Sequence, residues 1–316
     1  MRPSLAALLL ALPLLAADSP VPPGAKPTQV DSAGAGEGPA WGPDNALYYS
    51  GRNRIQRRTP DGHTTTFRDN AGSNGLLFDP QGRLVVCEAA NRRITRTEKD
   101  GSLTILTDRY DGHRYNSPND LTIDSRGRIY FSDPRYGNRD SMEMRDPAGK
   151  LVEGIYRIDA PGQVTRILTH EVDRPNGLYV SPDDKTLYVA ANNNNTPGGE
   201  RKLYRFALRP DGSLDPASRH LIYDWKDGRG PDGIKMDRQG RLFVAGGLNQ
   251  PHPPHETNQF KGGVYVFSPA GQLLTLLPVP VDEVTNCAFG GPNRQTLFIT
   301  AGGTLWSIPV NSPGAR

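Results

Sequence analysis

Six residues of one chemical type recur along this chain, each at the start of a short apolar segment. All six carry a carboxylate or a carboxamide, and four of them are followed by glycine. A single residue of this kind before glycine is a common turn former, but a turn alone would also accept serine, threonine or lysine in some copies. The uniform choice therefore predicts a shared task for these six anchor residues, which are Glu37, Asn74, Asn119, Asn176, Asp232 and Asn286.

The chemistry available to the anchor residues is cation binding through oxygen. Two carboxylates and four amide oxygens suit a hard cation such as Ca²⁺, which takes about six to eight oxygen ligands with some net negative charge. Zinc prefers nitrogen and sulfur ligands, which this set lacks. The sequence predicts a divalent-metal site with Ca²⁺ as the first candidate and Mg²⁺, Mn²⁺ or Zn²⁺ as alternatives, some anchors binding directly and others through water.

The anchors also mark a repeated structural unit. Successive anchors are 37, 45, 57, 56 and 54 residues apart, and each begins a strand, a polar turn and a second strand, with two further strand-like runs before the next anchor. Four-stranded units of this length repeated around a ring are propeller blades. We therefore predict an all-β, six-bladed β-propeller with the anchors at one mouth of its central channel. A β-sandwich or two separate β domains is the alternative.

The sixth unit is too short to complete a blade by itself. Only 30 residues follow Asn286, which is enough for three strands. The segment 26–32, which precedes the first unit, is predicted to supply the fourth strand and to close the ring, because closure removes an exposed sheet edge.

Long loops follow the second strands of blades three, four and five, at residues 132–153, 191–201 and 246–262. Strand direction predicts that these loops cover the metal mouth and form a substrate pocket, although each of their polar residues could instead be a solvated loop residue. His252 and His255 flank two prolines in the last of these loops and are equally consistent with exposed positions. The candidate substrate-binding residues are Asp133, Arg135, Tyr136, Asn74 and Asn286, with the run 192–195 beside them.

The first residues indicate export. Arg2 precedes an apolar run that is too short to span a bilayer, so residues 1–17 are predicted to be a secretory signal peptide, with a buried helix or retained anchor as the alternative. Residues 18–316 then form a single propeller domain that is periplasmic or secreted, with no membrane contact after cleavage. A net charge of +3 without long basic runs excludes nucleic acid as a partner. Two cysteines, Cys87 and Cys287, are not expected to pair.

Several motifs together resemble the senescence marker protein, gluconolactonase and regucalcin-like family, which is related to the paraoxonases. The resemblance covers nearly all of the mature chain and is carried by residues 36–41 (GEGPAW), 117–120 (SPND), 130–137 (YFSDPRYG), 174–178 (RPNGL), 230–233 (GPDG) and 285–291 (TNCAFGG). It implies a six-bladed propeller, a metal held by Glu37, Asn119, Asn176 and Asp232, hydrolysis of sugar or other lactones, and Asp232 as general base. Residues 250–257 depart from the family pattern.

These inferences favour a metal-dependent lactone hydrolase acting on a small-molecule lactone, with aldonolactones as the first substrate class. The metal would act as a Lewis acid on the carbonyl oxygen, and Asp232 or Glu37 would take the proton from the attacking water. The chain contains no Gly-x-Ser-x-Gly motif, which disfavours acyl-enzyme chemistry. The alternatives are a non-catalytic calcium- or sugar-binding propeller and a metal-dependent esterase or phosphotriesterase. The oligomeric state is not predicted.

Overall fold

The protein is almost entirely β-structure. Its structure, a computed structural model, describes residues 19–32 and 34–316. The predicted signal peptide, residues 1–17, lies outside the described residues and stays a prediction. The described helical segments are two 3-10 turns, Pro216–Ser218 and Pro292–Arg294. None of the described helices is long and apolar enough to cross a membrane.

Six four-stranded antiparallel sheets form a closed ring of blades, which confirms the predicted six-bladed propeller. The first strand of the chain is β1 (Thr28–Asp31). Blade one contains β2 (Glu37–Trp41), β3 (Leu47–Gly51), β4 (Arg54–Arg58) and β5 (Thr64–Arg68), and blade two contains β6 (Leu76–Phe78), β7 (Leu84–Glu88), β8 (Arg93–Thr97) and β9 (Leu103–Thr107). A hairpin of β10 (Arg109–Tyr110) and β11 (His113–Arg114) follows. Blade three contains β12 (Leu121–Ile123), β13 (Ile129–Ser132), β14 (Ile155–Ala160) and β15 (Gln163–Leu168), and blade four contains β16 (Pro175–Val180), β17 (Thr186–Asn192), β18 (Arg201–Ala207) and β19 (His220–Asp224). Blade five contains β20 (Pro231–Met236), β21 (Leu242–Gly246), β22 (Gly263–Phe267) and β23 (Leu273–Pro278), and blade six contains β24 (Val284–Gly290), β25 (Thr296–Ala301) and β26 (Thr304–Pro309).

The predicted closing strand is also confirmed. Strand β1 pairs antiparallel with β26, with Thr28 opposite Ser307 and Gln29 opposite Trp306, and becomes the outer strand of blade six. The Arg58 guanidinium of blade one donates to the backbone oxygen of Val30 at 2.7 Å and to the Asp31 carboxylate at 3.2 Å. The first and last parts of the described chain therefore join the same sheet.

The turns between first and second strands repeat one local device. The Asp79 carboxylate accepts the backbone N–H groups of Gln81 at 3.0 Å and Arg83 at 2.9 Å, and Arg83 Nε donates back to it at 2.7 Å. Gly82 has a φ of 76°, a conformation that costs glycine little. The same arrangement joins Asp124 with Arg128 and Asp237 with Arg241.

The hydrophobic core is divided among the contacts between blades. Six clusters of buried apolar side chains occur, and each cluster combines residues of two neighbouring blades. One cluster packs Phe243 of β21 against Phe289 of β24, with ring centroids 5.0 Å apart. Burial of these apolar surfaces stabilises each blade only when its neighbours are present. The ring consequently holds the inner strands, and the residues that begin them, at fixed positions around the channel.

Candidate functional site

Five of the six anchor residues meet at one mouth of the channel. Glu37, Asn74, Asn119, Asn176 and Asp232 line a single cavity of about 290 Å³. They come from blades one to five, and each lies at or just before the start of an inner strand. The repeat in the sequence thus becomes a cluster of oxygen-bearing side chains in space.

The glycines that follow the anchors allow the inner strands to approach this closely. A Cβ atom on Gly177 would lie 2.0 Å from the backbone oxygen of Asp232, and one on Gly233 would lie 2.0 Å from Oδ1 of Asn286. Neither distance is compatible with a side chain. Each glycine is therefore required by contact with the next anchor around the ring.

All three long loops contribute side chains to the cavity. Tyr136 comes from the blade-three loop and Glu256 from the blade-five loop. The blade-four segment contributes amides that are held in place, since Asn192 Nδ2 donates to the Pro231 oxygen at 2.7 Å and Asn194 Oδ1 accepts the Gly230 N–H at 2.8 Å. The full lining is polar apart from the tyrosine ring: Glu37, Asn74, Asn119, Tyr136, Asn176, Asn192, Asn194, Asn195, Arg229, Asp232, Glu256 and Thr285.

A larger depression lies at the opposite mouth of the channel, with a volume of about 890 Å³. Its acidic side chains are already bound to arginines, at 2.7 Å between Asp79 and Arg83 and at 2.6 Å between Asp124 and Arg128. This depression therefore lacks the unpaired carboxylate and amide oxygens of the anchor cavity. For this reason we assign the candidate site to the anchor cavity, although it is the smaller of the two.

Burial and mutual repulsion raise the pKa values of the carboxylates at the anchor cavity. Burial, reinforced by the negative charge of Asp120, raises the pKa of Glu37 above its ordinary value. Burial and the neighbouring Glu37 carboxylate raise the pKa of Asp232, while the Arg229 guanidinium partly opposes this shift. The site as it stands carries more buried negative charge than its surroundings compensate.

Three buried oxygens at this cavity have no hydrogen-bond partner among the described residues. They are Oδ1 of Asn74, Oδ1 of Asn176 and Oδ1 of Asp232. An unsatisfied buried acceptor costs about 1–3 kcal/mol, so such a cluster indicates a missing electropositive partner. The unpartnered oxygens and the uncompensated carboxylates together fit a hard divalent cation.

The donor set includes amides as well as acids. Among residues 19–32 and 34–316, no group of three or more His, Cys, Asp or Glu side chains is arranged to hold a metal. A cation at the cavity would therefore need the asparagine oxygens as well as Glu37 and Asp232, and the metal site stays a prediction.

Asn286, which the sequence predicts to bind substrate, is the one anchor that does not line the cavity, and its role in substrate binding stays a prediction. Its Oδ1 accepts the Cys287 N–H at 2.9 Å and Lys235 Nζ at 3.4 Å, so its Nδ2 is turned toward the Glu37 carboxylate at 3.2 Å. The same Nδ2 lies 3.4 Å from Asp120 Oδ2. Asn286 is buried beneath the cavity rather than lining it, and it supports Glu37 as a hydrogen-bond donor.

The structure places the blade-three candidates in different environments. Tyr136 lines the cavity, where its hydroxyl donates to Asn192 Oδ1 at 3.0 Å and accepts Asn176 Nδ2 at 2.9 Å. The second bond turns the Asn176 oxygen away from the tyrosine and leaves it unpartnered. Tyr136 therefore orients one of the predicted metal ligands.

Asp133 and Arg135 are not among the residues that line the cavity, and their role in substrate binding stays a prediction. The fully buried Asp133 carboxylate accepts the backbone N–H groups of Asn116 at 2.8 Å and Ser117 at 2.9 Å. Arg135 donates to the Asn138 backbone oxygen at 2.7 Å within its own loop. Both residues stabilise the segments that carry Asn119 and Tyr136.

Four residues at or next to the cavity, Asp120, Arg229, Glu256 and Thr285, were missed by sequence reasoning. Asp120 occupies the position that is glycine after most anchors, and this exception was the available signal. Arg229 stands directly before the Gly-Pro-Asp-Gly motif, and Glu256 lies in the loop that matched no pattern. His252 and His255 do not line the cavity, and His252 is exposed whereas His255 is half-buried.

Fold and site together define a class: closed six-bladed propellers with a polar, oxygen-lined cavity at one mouth of the channel. The chain belongs to the SMP-30/Gluconolactonase/LRE-like family, whose region matches residues 35–303.

Individual relatives agree with this membership. A gluconolactonase from Zymomonas mobilis subsp. mobilis is 30% identical over 293 residues, covering 84% of this chain and 75% of that protein. A 6-deoxy-6-sulfogluconolactonase from Pseudomonas putida is 30% identical over 304 residues, covering 88% and 92%. The solved structure of a Xanthomonas campestris gluconolactonase matches with a TM-score of 0.74 at 36% identity, covering 90% of each chain. Regucalcin, a calcium-binding protein from Agrobacterium tumefaciens, shares the fold at 20% identity, with a TM-score of 0.69 and coverage of 91% and 96%.

Proposed function

We propose that this protein is a metal-dependent hydrolase of sugar lactones. The observation that carries the proposal is the cavity lined mainly by polar side chains, in which Oδ1 of Asn74, Asn176 and Asp232 have no described partner. A polyhydroxylated lactone suits such walls better than a lactone with an alkyl chain, which would leave polar groups unpaired. The gluconolactonase and sulfogluconolactonase relatives support the same reaction class.

The proposed metal ligands are Glu37, Asn119, Asn176 and Asp232. Their oxygens favour Ca²⁺, with Mg²⁺, Mn²⁺ and Zn²⁺ as the alternatives to be compared. A bound divalent cation would supply Lewis-acid polarisation of the lactone carbonyl and stabilise the oxyanion that forms on it.

The chain's own residues account for the remaining steps. Asp232 takes a proton from a water molecule as the water oxygen bonds to the lactone carbonyl carbon. The bond between that carbon and the ring oxygen then breaks, and the carboxyl of Asp232 returns its proton to the ring oxygen, so the product is a hydroxy acid. Glu37 is the alternative base. The amides of Asn192 and Asn194 and the Tyr136 hydroxyl are available to orient the sugar hydroxyls.

The deciding experiment is glucono-1,5-lactone hydrolysis by the purified protein, corrected for spontaneous opening, before and after chelation and with each metal restored. We expect chelation to abolish turnover and Ca²⁺ to restore it. Asp232→Ala should lose turnover and weaken metal binding in calorimetry, whereas Asn74→Ala should change both much less. Metal binding without turnover of any lactone would favour a binding protein, and turnover of other esters or phosphotriesters alone would favour a different hydrolase.

We also propose export to the periplasm or medium, on the charged and apolar order of residues 1–17. Mass spectrometry of the chain from a bacterial host is expected to find a mature protein that begins near residue 18. A full-length cytoplasmic chain would contradict export without affecting the proposed reaction.

A further inference from the structure

One cationic side chain, that of Arg229, is present among the described residues that line the cavity. It stands three positions before Asp232, and its positive charge acts on the Asp232 carboxylate. A guanidinium in this position could bind an anionic group of a substrate through paired hydrogen bonds. Whether it does so depends on how its charge is already compensated.

Glu256 compensates that charge from within the cavity. Arg229 Nη1 lies 3.4 Å from Glu256 Oε1, and both side chains are largely buried, at 18% and 9% exposure. A second carboxylate, that of Glu283, lies 3.8 Å from the same nitrogen but is 55% exposed. Because solvent screens the exposed group, Glu256 is the stronger partner.

The Glu256 carboxylate is held in place by its loop. His252 N–H donates to the Glu256 backbone oxygen at 2.9 Å, and the Glu256 N–H donates back at 3.0 Å. The neighbouring Thr257 N–H donates to the Asp227 oxygen at 2.8 Å, which ties the loop to the segment before Arg229. The loop therefore holds Glu256 beside Arg229 before any substrate binds.

From this charge balance we propose that Glu256 sets the substrate class of the site: uncharged polyhydroxylated lactones are accepted, and lactones that carry a second, anionic group are rejected. This inference rests on the proposed lactone hydrolysis. An anionic substituent would have to displace Glu256 from Arg229, which would leave the largely buried Glu256 carboxylate without its cationic partner and close to the new negative charge. A neutral lactone meets none of these costs, and rejection of the wrong substrate by repulsion is a general source of specificity.

The ion pair between Arg229 and Glu256 should also affect how tightly the product binds. Hydrolysis converts a neutral lactone into an anionic hydroxy acid inside the cavity. Because the Arg229 guanidinium is already paired with Glu256, it does not bind the new carboxylate, and release of the hydroxy acid is favoured. Loss of the Glu256 charge should therefore improve binding of anionic lactones and of the product together.

The test compares two lactones that differ at carbon 6 alone, glucono-1,4-lactone and glucaro-1,4-lactone, whose carbon 6 is a carboxylate. We expect Glu256→Gln to raise the kcat/KM ratio of glucaro- to glucono-lactone about tenfold or more, and to tighten product inhibition by gluconate by a similar factor. Glu283→Gln is the matched control and should shift the ratio less than about twofold. The double variant Arg229→Gln/Glu256→Gln should lose the increase in this ratio, because it lacks the Arg229 guanidinium that would bind the carboxylate of glucaro-lactone.

The outcomes separate the two proposals. If the wild type hydrolyses glucono-lactone but Glu256→Gln, while folded and active, leaves the ratio within about twofold, the specificity inference is overturned and the proposed function stands. If the wild type hydrolyses neither lactone with any metal, the proposed function fails, and calorimetric binding of glucarate decides the inference. Tighter binding by Glu256→Gln than by wild type supports it, and equal binding overturns it.

Discussion

At the scale of single residues, the candidate site is dominated by carboxylates that are buried or half-buried. Glu37, Asp120 and Asp232 are close enough for their charges to act on one another, and the nearest described cations, Lys235 and Arg229, offset them only in part. Such a cluster is unfavourable by itself and becomes favourable with a bound cation. Stability and metal binding should therefore depend on the same ionisations.

This coupling predicts an unusual pH dependence of the metal-free protein. Burial raises the pKa of Glu37 from 4.5 to about 7, so between these values the folded chain holds a proton that the unfolded chain has lost. The free energy of unfolding should accordingly increase on acidification from pH ~7 to pH ~5, with Glu37 contributing about 2–3 kcal/mol. The raised pKa of Asp232 acts in the same direction.

Denaturant titrations at several pH values, with chelator and with saturating Ca²⁺, check this prediction. With Ca²⁺ the slope should reverse, because the cation stabilises the ionised carboxylates. Glu37→Gln/Asp232→Asn is the control and should remove the difference between the two conditions. A metal-free protein whose stability rises from pH 5 to pH 7 by the same amount as this variant would contradict the electrostatic account.

At the scale of elements, the contacts between the inner strands decide how compact the site is. Gly177 has ordinary strand geometry, so its role is purely one of space beside the Asp232 backbone oxygen. We expect Gly177→Ala to lower the free energy of unfolding by about 1–3 kcal/mol and to weaken metal binding, because β20 must move outward. Gly36→Ala is the matched control, since its added Cβ would meet the nearest atom at an ordinary 3.4 Å.

Chemical denaturation and calorimetric titration with Ca²⁺ measure both effects. Equal stability of the two glycine variants would show that the inner strands are not in close contact. A Gly177→Ala protein that is destabilised but binds metal normally would separate strand packing from site geometry.

The elements were predictable from the sequence to different degrees. The spacing of the anchors was sufficient to predict the blades, the closing strand and the oxygen-lined mouth, because each blade repeats the same local sequence pattern. The orientation of the Asn286 amide could not be predicted, since it depends on Lys235 and Glu37 of the two neighbouring blades and on Asp120 across the channel. The buried position of Asp133 could not be predicted for a similar reason, because its partners Asn116 and Ser117 belong to a different segment of its blade.

At the scale of the whole molecule, the propeller depends on the joint between β1 and β26. Each core cluster lies between two blades, so a loosened sixth blade weakens its contacts with blades five and one. Val30, which lies within β1, packs against the cluster of Ala35, Leu47, Tyr49 and Leu305. The closing strand therefore supports both the last sheet and the interface with the first.

Removal of this strand should destabilise the molecule and expose an edge. A chain that begins at residue 34 loses the β1–β26 pairing and the Val30 contacts, and we expect the free energy of unfolding to fall by about 3–5 kcal/mol. The unpaired β26 edge should promote self-association, because free strand edges pair with other chains. A chain that begins at residue 26 keeps the strand and is the control. Denaturation and light scattering measure the two effects, and a shortened chain that is as stable and monodisperse as the control would show that blade six is complete with three strands.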